Sequence, residues 1–385
     1  MNALGLYVHI PFCLKRCAYC DFVSYPWQGE GREFVGLLLK ELDLRVTHSS
    51  IEGREIQSVY FGGGTPSLLE PSLLGDFLKV LRERFTLSLP LEVTLEANPE
   101  TVTLEKLRKW RDAGITRLSI GVQTFQPRYL LFLGRSTSLA RIRMSLDMVR
   151  KEEWKNWNID LIYGLPLEDF DTWQKDVEEA LRYAPPHISV YNLTLEPRVP
   201  LASFFRRHRR LFPSFDAQSY LFRLAERKLT EAGYLHYEVS NFAFPGFECR
   251  HNLLYWRNGE YIGLGPSAWT HLGGKRQKNA DSLRTYSRML QEKKLPVVFE
   301  EELSGEAKKL EDIMLLLRTN QGVPLSFLSS PEWGEVLREF LERGLLFVQG
   351  ERLYPSSSGF LLLHQILLEM LDRRNCSGGE TTTLR

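Results

Sequence analysis

Six short runs rich in β-branched and large apolar residues punctuate the first half of the chain, at 4–10, 56–61, 91–96, 115–121, 158–164 and 187–193, and they read as strands. Between them the period lengthens to that of a helix. In FVGLLLKELDLRV, Phe34, Leu37, Leu38 and Leu42 share one face, and comparable stripes recur near 72–85, 103–113, 139–150 and 172–184. Six alternations of strand and helix predict parallel strands joined by crossover helices. Periodicity does not decide whether such a sheet closes, stays open or curls into a partial barrel. In each case the chemistry belongs at the carboxyl ends of the strands.

Past residue 295 the pattern changes. EAKKLEDIMLLLR and EWGEVLREFLERGLL read as amphipathic helices, GLLFVQGERLYPS as a hairpin around Gly350, and FLLLHQILLEML as a last helix. The expected organisation is a barrel over 1–200, an extension of it over 201–295, a winged-helix-like α+β module over 296–372, and a small, polar, disordered tail over 373–385. Residues 300–385 hold 14 Asp+Glu against 9 Lys+Arg, the wrong balance for gripping phosphates, so the module is expected to dock or cover rather than bind DNA.

Charge over the whole chain is even, with 49 Lys+Arg and 48 Asp+Glu, so neither nucleic acid nor an anionic membrane is suggested. The basic run Arg206-Arg207-His208-Arg209-Arg210 reads as a solvated helix face. No apolar run approaches the roughly 20 residues that span a bilayer. The chain opens on no secretory signal pattern, and its five cysteines do not form a disulfide framework, so a cytoplasmic location is expected.

Chemistry-bearing residues collect at the predicted carboxyl ends. Cys13, Cys17 and Cys20 follow the first strand, Gly62-Gly63-Gly64-Thr65-Pro66 the second, Glu96-Ala97-Asn98-Pro99 the third and Gly121-Val122-Gln123 the fourth, while Asp160 lies near the end of the fifth. The thiol spacing can hold an iron-sulfur cubane by three corners and leave one iron open for a ligand. Zinc on three thiolates plus His9, or buried thiols without metal, are the alternatives that spacing leaves.

Taken together, the Cys-x3-Cys-x2-Cys loop, GGGTP, LEANPE, SIGVQTF, the arginine of LGRSTS and NIDLIYGLP resemble the radical S-adenosylmethionine enzymes of the oxygen-independent coproporphyrinogen oxidase group, over about residues 4–275. The resemblance implies an α/β fold built on a partial (β/α)6 barrel, with a [4Fe-4S] cluster on Cys13, Cys17 and Cys20. S-adenosylmethionine would chelate the open iron. Tyr7 and Tyr19 would flank its adenosyl group, and Gly63, Gly64 and Thr65 would approach the methionyl end. Glu96 would bond the amino group, Arg135 the carboxylate, and Gln123 with Asp160 the ribose hydroxyls. Thr194 and the Gly265–Trp269 stretch would pack on adenine. The implied chemistry is reductive cleavage to methionine and a 5′-deoxyadenosyl radical, the electron coming from a flavodoxin or ferredoxin.

Three departures from the oxidase pattern point to a heme-chaperone branch of that group. Phe22 stands where the oxidases have a fourth cysteine, the stretch before the first strand is short, and HNLLYW at 251–256 resembles a segment whose histidine is associated with heme. On that resemblance His251 would be a heme ligand, with Cys249 a passive thiol and His271 and His236 weaker candidates. The function implied is a chaperone delivering heme to acceptor proteins of the respiratory chain, which can lie at a membrane surface. A cluster-dependent dimer is compatible with it. The alternative is a true enzyme that converts two propionates of coproporphyrinogen III to vinyls. A radical methyltransferase is less favoured, because no cobalamin module is evident.

Overall fold

The computed structural model describes residues 3–49, 51–329 and 332–377. Two compact units divide them. The first takes the chain to Leu235, then 242–254 and 259–302; the second takes 236–241, 255–258 and the chain from Leu303.

In the first unit the six predicted strands are β1 (Leu4–Ile10), β2 (Glu55–Gly63), β3 (Thr86–Ala97), β4 (Arg117–Gln123), β5 (Trp157–Tyr163) and β6 (His187–Asn192). They lie side by side in sequence order, all parallel. The crossovers are the helices α1 (Gly31–Ser49), α2 (Pro71–Arg84), α3 (Leu104–Ala113), α4 (Leu139–Lys151) and α5 (Phe170–Tyr183). Thr103, Ser138 and Asp169 each accept the backbone N–H three residues on, which starts α3, α4 and α5 where the polar caps occur in the sequence. Strand residues such as Leu6, Val8, Val59, Leu95, Ile120 and Leu161 are fully buried, as a sheet covered by helices requires.

The sheet does not close. On the far side of β1 it continues into β7 (Tyr261–Leu264), parallel to β1, and then antiparallel through β8 (Trp269–Leu272), β9 (Lys275–Asn279) and β10 (Val297–Glu302). Of the extension expected over 201–295, the part from Tyr261 onward forms this β-ribbon on the β1 edge, whereas the part before it is largely helical, with helices Pro200–Arg207 and Phe215–Glu231. The ribbon's last strand pairs with β9, which carries the first unit to Glu302.

The second unit is winged-helix-like. The helix Gly305–Leu316 precedes the strand Val323–Pro324, and the helix Glu332–Glu342 precedes the hairpin of Leu346–Gln349 and Arg352–Pro355; the three strands form one sheet, and the helix Ser357–Ser377 follows it. Ile313, Leu317, Phe340, Leu353, Ile366 and Met370 form its core. The closing helix runs into the stretch expected to be a disordered tail, and 378–385 lie outside the described residues. No helix among the described residues is long and apolar enough to cross a membrane.

Candidate functional site: the carboxyl rim of the parallel sheet

A cavity of about 490 Å³ opens at the carboxyl ends of β1–β6. Cys13, Cys17 and Cys20 line it together with Tyr19, Gly63, Gly64, Thr65, Glu96, Gln123, Arg135, Asp160 and Thr194. Residues from Cys13 to Thr194 meet here because each parallel strand ends at the same edge.

The loop from Cys13 to Cys20 is fixed from several sides. The Trp27 N–H donates to the Cys13 carbonyl at 3.0 Å, Ala18 N–H to Leu133 and Leu201 N–H to Ala18, each at 3.0 Å. His9 Nε2 bonds the Val23 carbonyl at 3.0 Å, which leaves Nδ1 to accept the Tyr7 hydroxyl at 3.1 Å. Both ring nitrogens of His9 are therefore spent on structure, which removes it as a fourth zinc ligand. The glycine turn packs on the same loop: Gly64 N–H donates to Ile10 and Thr65 N–H to Phe12. A Cβ on Gly64 would lie 2.6 Å from the Phe12 carbonyl oxygen, so only glycine allows this approach.

Donors are aimed at the sulfurs. Thr65 Oγ1 donates to Cys13 Sγ at 3.5 Å, and Arg135 Nη1 to Cys17 Sγ at 3.7 Å. Burial raises the Cys13 thiol and pushes Cys20 up to about 11, so without a metal these groups stay protonated at neutral pH. Among the described residues no three His, Cys, Asp or Glu side chains converge as on a single metal ion. A cubane asks for something else, one thiolate per iron corner, and sulfurs spread along one wall suit that demand.

The same lining carries two carboxyls, Glu96 and Asp160. Tyr60 donates to Glu96 Oε1 at 2.9 Å and Gly63 N–H to Oε2 at 3.2 Å, yet burial still raises Glu96 to about 7. Asp160 is likewise raised by burial, while Asn158 Nδ2 donates to it at 2.7 Å and Ser119 at 3.4 Å. Buried carboxyls raised in this way gain most from an incoming cation, the form in which an amino acid's ammonium group arrives. Arg135 donates from Nη2 to Gly121 O at 2.7 Å and Asn98 Oδ1 at 2.9 Å, and its buried Nε has no hydrogen-bond partner among the described residues. An orphaned guanidinium donor beside a cavity fits a missing carboxylate. Gln123 adopts φ +70° where the β4–β5 register shifts, a strained backbone that turns its amide toward the cavity wall.

Four expected residues lie elsewhere. Tyr7 is one layer beneath, with its ring 6.2 Å from Tyr60. Trp269, on β8, is turned outward beside Phe299, and Gly265 is pressed against the His9 carbonyl. His251 is 1% exposed: its Nδ1 sits 2.9 Å from Ser58 Oγ, its ring stacks on Tyr60 at 5.2 Å, and burial lowers it to about 3. Its N–H and that of Arg250 both donate to Glu92, which anchors the short helix Arg250–Trp256. In this structure the imidazole is engaged by Ser58 and Tyr60 and does not line the cavity. Cys249 is buried against Glu92 and pushed up to about 12, which is the chemistry of a passive thiol. Tyr60, Ser119 and Asn158 were not expected at the site; only their inward register on β2, β4 and β5 marks them.

An open, singly wound parallel sheet with three thiols at its first turn defines a radical S-adenosylmethionine protein, and the Radical SAM superfamily model matches residues 7–180. Among curated relatives, the heme chaperone HemW of Mycobacterium tuberculosis is 38% identical over 95% of this chain and 94% of its own. The HemW of Lactococcus lactis is 34% identical over 95% and 96%. The chain belongs to the HemW family. Among solved structures, coproporphyrinogen III oxidase (HemN) from Escherichia coli matches with a TM-score of 0.82 at 24% identity, over 96% of this chain and 90% of that one. That likeness concerns the fold.

The family implies a [4Fe-4S] cluster and S-adenosylmethionine, and the donor set fits both. Replacing Arg135 with alanine is expected to weaken S-adenosylmethionine binding about 100-fold while iron content stays constant, the scale of a lost charge-assisted contact of about 2–3 kcal/mol. Equilibrium dialysis with radiolabelled ligand measures this, and unchanged affinity would remove the carboxylate role.

Proposed function

We propose that this protein is a heme chaperone that carries a [4Fe-4S] cluster with S-adenosylmethionine, binds heme and passes it to an acceptor protein. The observation that carries the reading is the end-to-end match to proteins named heme chaperones, which extends through the second unit as well as the radical S-adenosylmethionine region. Cys13, Cys17 and Cys20 would hold the cluster, Glu96 and Arg135 the amino and carboxylate groups of S-adenosylmethionine, and Gln123 with Asp160 its ribose. When bound, the pair supplies one-electron chemistry at the rim, fed by a small redox protein. The chain's own part is to keep the loop rigid, donate to the sulfurs through Thr65 and Arg135, and place acidic groups beside a cationic ligand.

An anaerobic titration of the reconstituted protein with hemin, followed at the Soret band and then by transfer to an apo-cytochrome, tests this. Saturation near one heme per chain, with release to the acceptor, is expected. Absence of saturable binding, together with turnover of coproporphyrinogen III, would replace the chaperone with the enzyme.

A further inference from the structure

The cavity has two electrostatic ends. Its floor carries Glu96 and Asp160, which suit S-adenosylmethionine, a ligand whose sulfonium and ammonium outweigh its one carboxylate. Its rim carries Lys15 and Arg16, both exposed. A cationic ligand does not use these two.

Neither rim cation is in an ion pair among the described residues, and the one printed side-chain bond of Arg16 is to the Cys20 carbonyl at 3.1 Å. The carboxylate of Asp21, close by on the loop, is taken by Arg198 through both oxygens at 2.6 and 3.0 Å. The loop therefore presents its positive charge outward. Beside it Phe22 lines the cavity while 61% exposed, and Tyr191 lines it at 39%. Leu193 completes an apolar strip. Backbone bonds anchor the loop on both sides of Phe22, from Cys20 N–H to Cys17 and from Tyr25 N–H to Pro11. Large aromatic side chains left in water next to a cavity mark a seat for an apolar ligand.

An apolar strip with two cations at one edge fits a flat macrocycle that carries carboxylates along one side. We propose that heme sits at the cavity mouth, its ring against Phe22, Tyr191 and Leu193 and its two propionates on Lys15 and Arg16. This rests on the heme-chaperone reading above. It assigns Phe22 a positive role, an apolar ring contact on the loop that also carries the thiols. His251, which bonds Ser58 and stacks on Tyr60, does not line this seat.

The test uses full-length protein with its cluster reconstituted and S-adenosylmethionine present, titrated with hemin and, separately, with hemin dimethyl ester, which lacks the propionate charges. The double change Lys15→Glu with Arg16→Glu is expected to weaken hemin at least tenfold and to leave the diester within about twofold, as loss of charge-assisted contacts requires. Phe22→Ala should weaken both ligands. His251→Ala should weaken neither. Should Phe22→Ala lose its cluster, the ratio of hemin to diester affinity in the charge-reversed protein still decides. If the wild type binds hemin saturably and the charge-reversed protein binds it equally well, heme lies elsewhere and the seat is overturned while the chaperone reading stands. Loss of binding in His251→Ala alone would overturn the seat as well. No saturable hemin binding to the wild type would overturn the chaperone reading itself, and the seat with it.

Discussion

Replacing Cys17 with alanine is expected to abolish the cluster and, with it, S-adenosylmethionine affinity. Cys17 is the middle of the three thiols and the one that Arg135 touches, at 3.7 Å. Cluster binding must deprotonate each ligand, and burial raises the Cys13 and Cys20 thiols. A third thiolate shares that cost among three strong bonds. Two thiolates would leave two irons of the cubane without protein ligands, and S-adenosylmethionine would lose the single open iron that defines its position. Iron and sulfide analysis should fall close to zero, with visible absorption lost, while far-ultraviolet circular dichroism remains, since the loop is held by backbone bonds that do not involve the sulfur. A full iron and sulfide complement in the variant would sink the assignment of Cys17. The contrast with Arg135→Ala, which should keep iron and lose ligand, separates cluster holding from ligand holding at two groups in contact.

The parallel sheet was legible because its physics is local. Buried strands such as IQSVYF and NIDLIYG announce themselves by apolar β-branched runs, and the caps at Thr103, Ser138 and Asp169 mark where helices begin. The rim was legible for the same reason, since strand ends can be read and chemistry collects there. What escaped depends on register and long-range contact. Tyr60, Ser119 and Asn158 are ordinary strand residues in sequence, and only their position across from Glu96 and Asp160 gives them a role. The ribbon β7–β10 is short and mixed in polarity, so its strands carry little periodicity. The surroundings of His251 were not legible either. HNLLYW pointed to a residue that matters, but burial is a tertiary property, and in the fold its partners are Ser58, Glu92 and Tyr60 rather than a cavity.

Glu41 supplies a second large effect, of stability rather than ligand binding. On α1 the apolar stripe Phe34, Leu38, Leu42 is interrupted by Glu41 and Arg45, both fully buried and one turn apart. Glu41 Oε2 accepts from Tyr286 at 2.7 Å and from Gly265 N–H at 2.9 Å, and Oε1 from Asn279 at 2.8 Å and Arg45 at 3.4 Å. Arg45 in turn donates to Gln277 at 2.7 Å and Asn279 at 2.9 Å. Glu41→Ala removes the acceptor for four donors and strands a guanidinium in the core, for which a loss of about 3–5 kcal/mol is expected. The urea midpoint should drop with little change in slope. Glu41→Gln should lose less, because an amide oxygen still accepts from Tyr286 and Gly265 although the countercharge is gone. The consequence reaches the site through Gly265, which Glu41 holds by its N–H and which packs against the carbonyl of His9 on the strand that leads into the cysteine loop. A loosened Glu41 network should therefore release iron to a chelator faster than wild type at a denaturant concentration where both remain folded. Equal rates, with the midpoint lowered as expected, would mean that the β1–β7 seam is a matter of stability alone and that the loop is held by its own backbone bonds to Leu133 and Leu201.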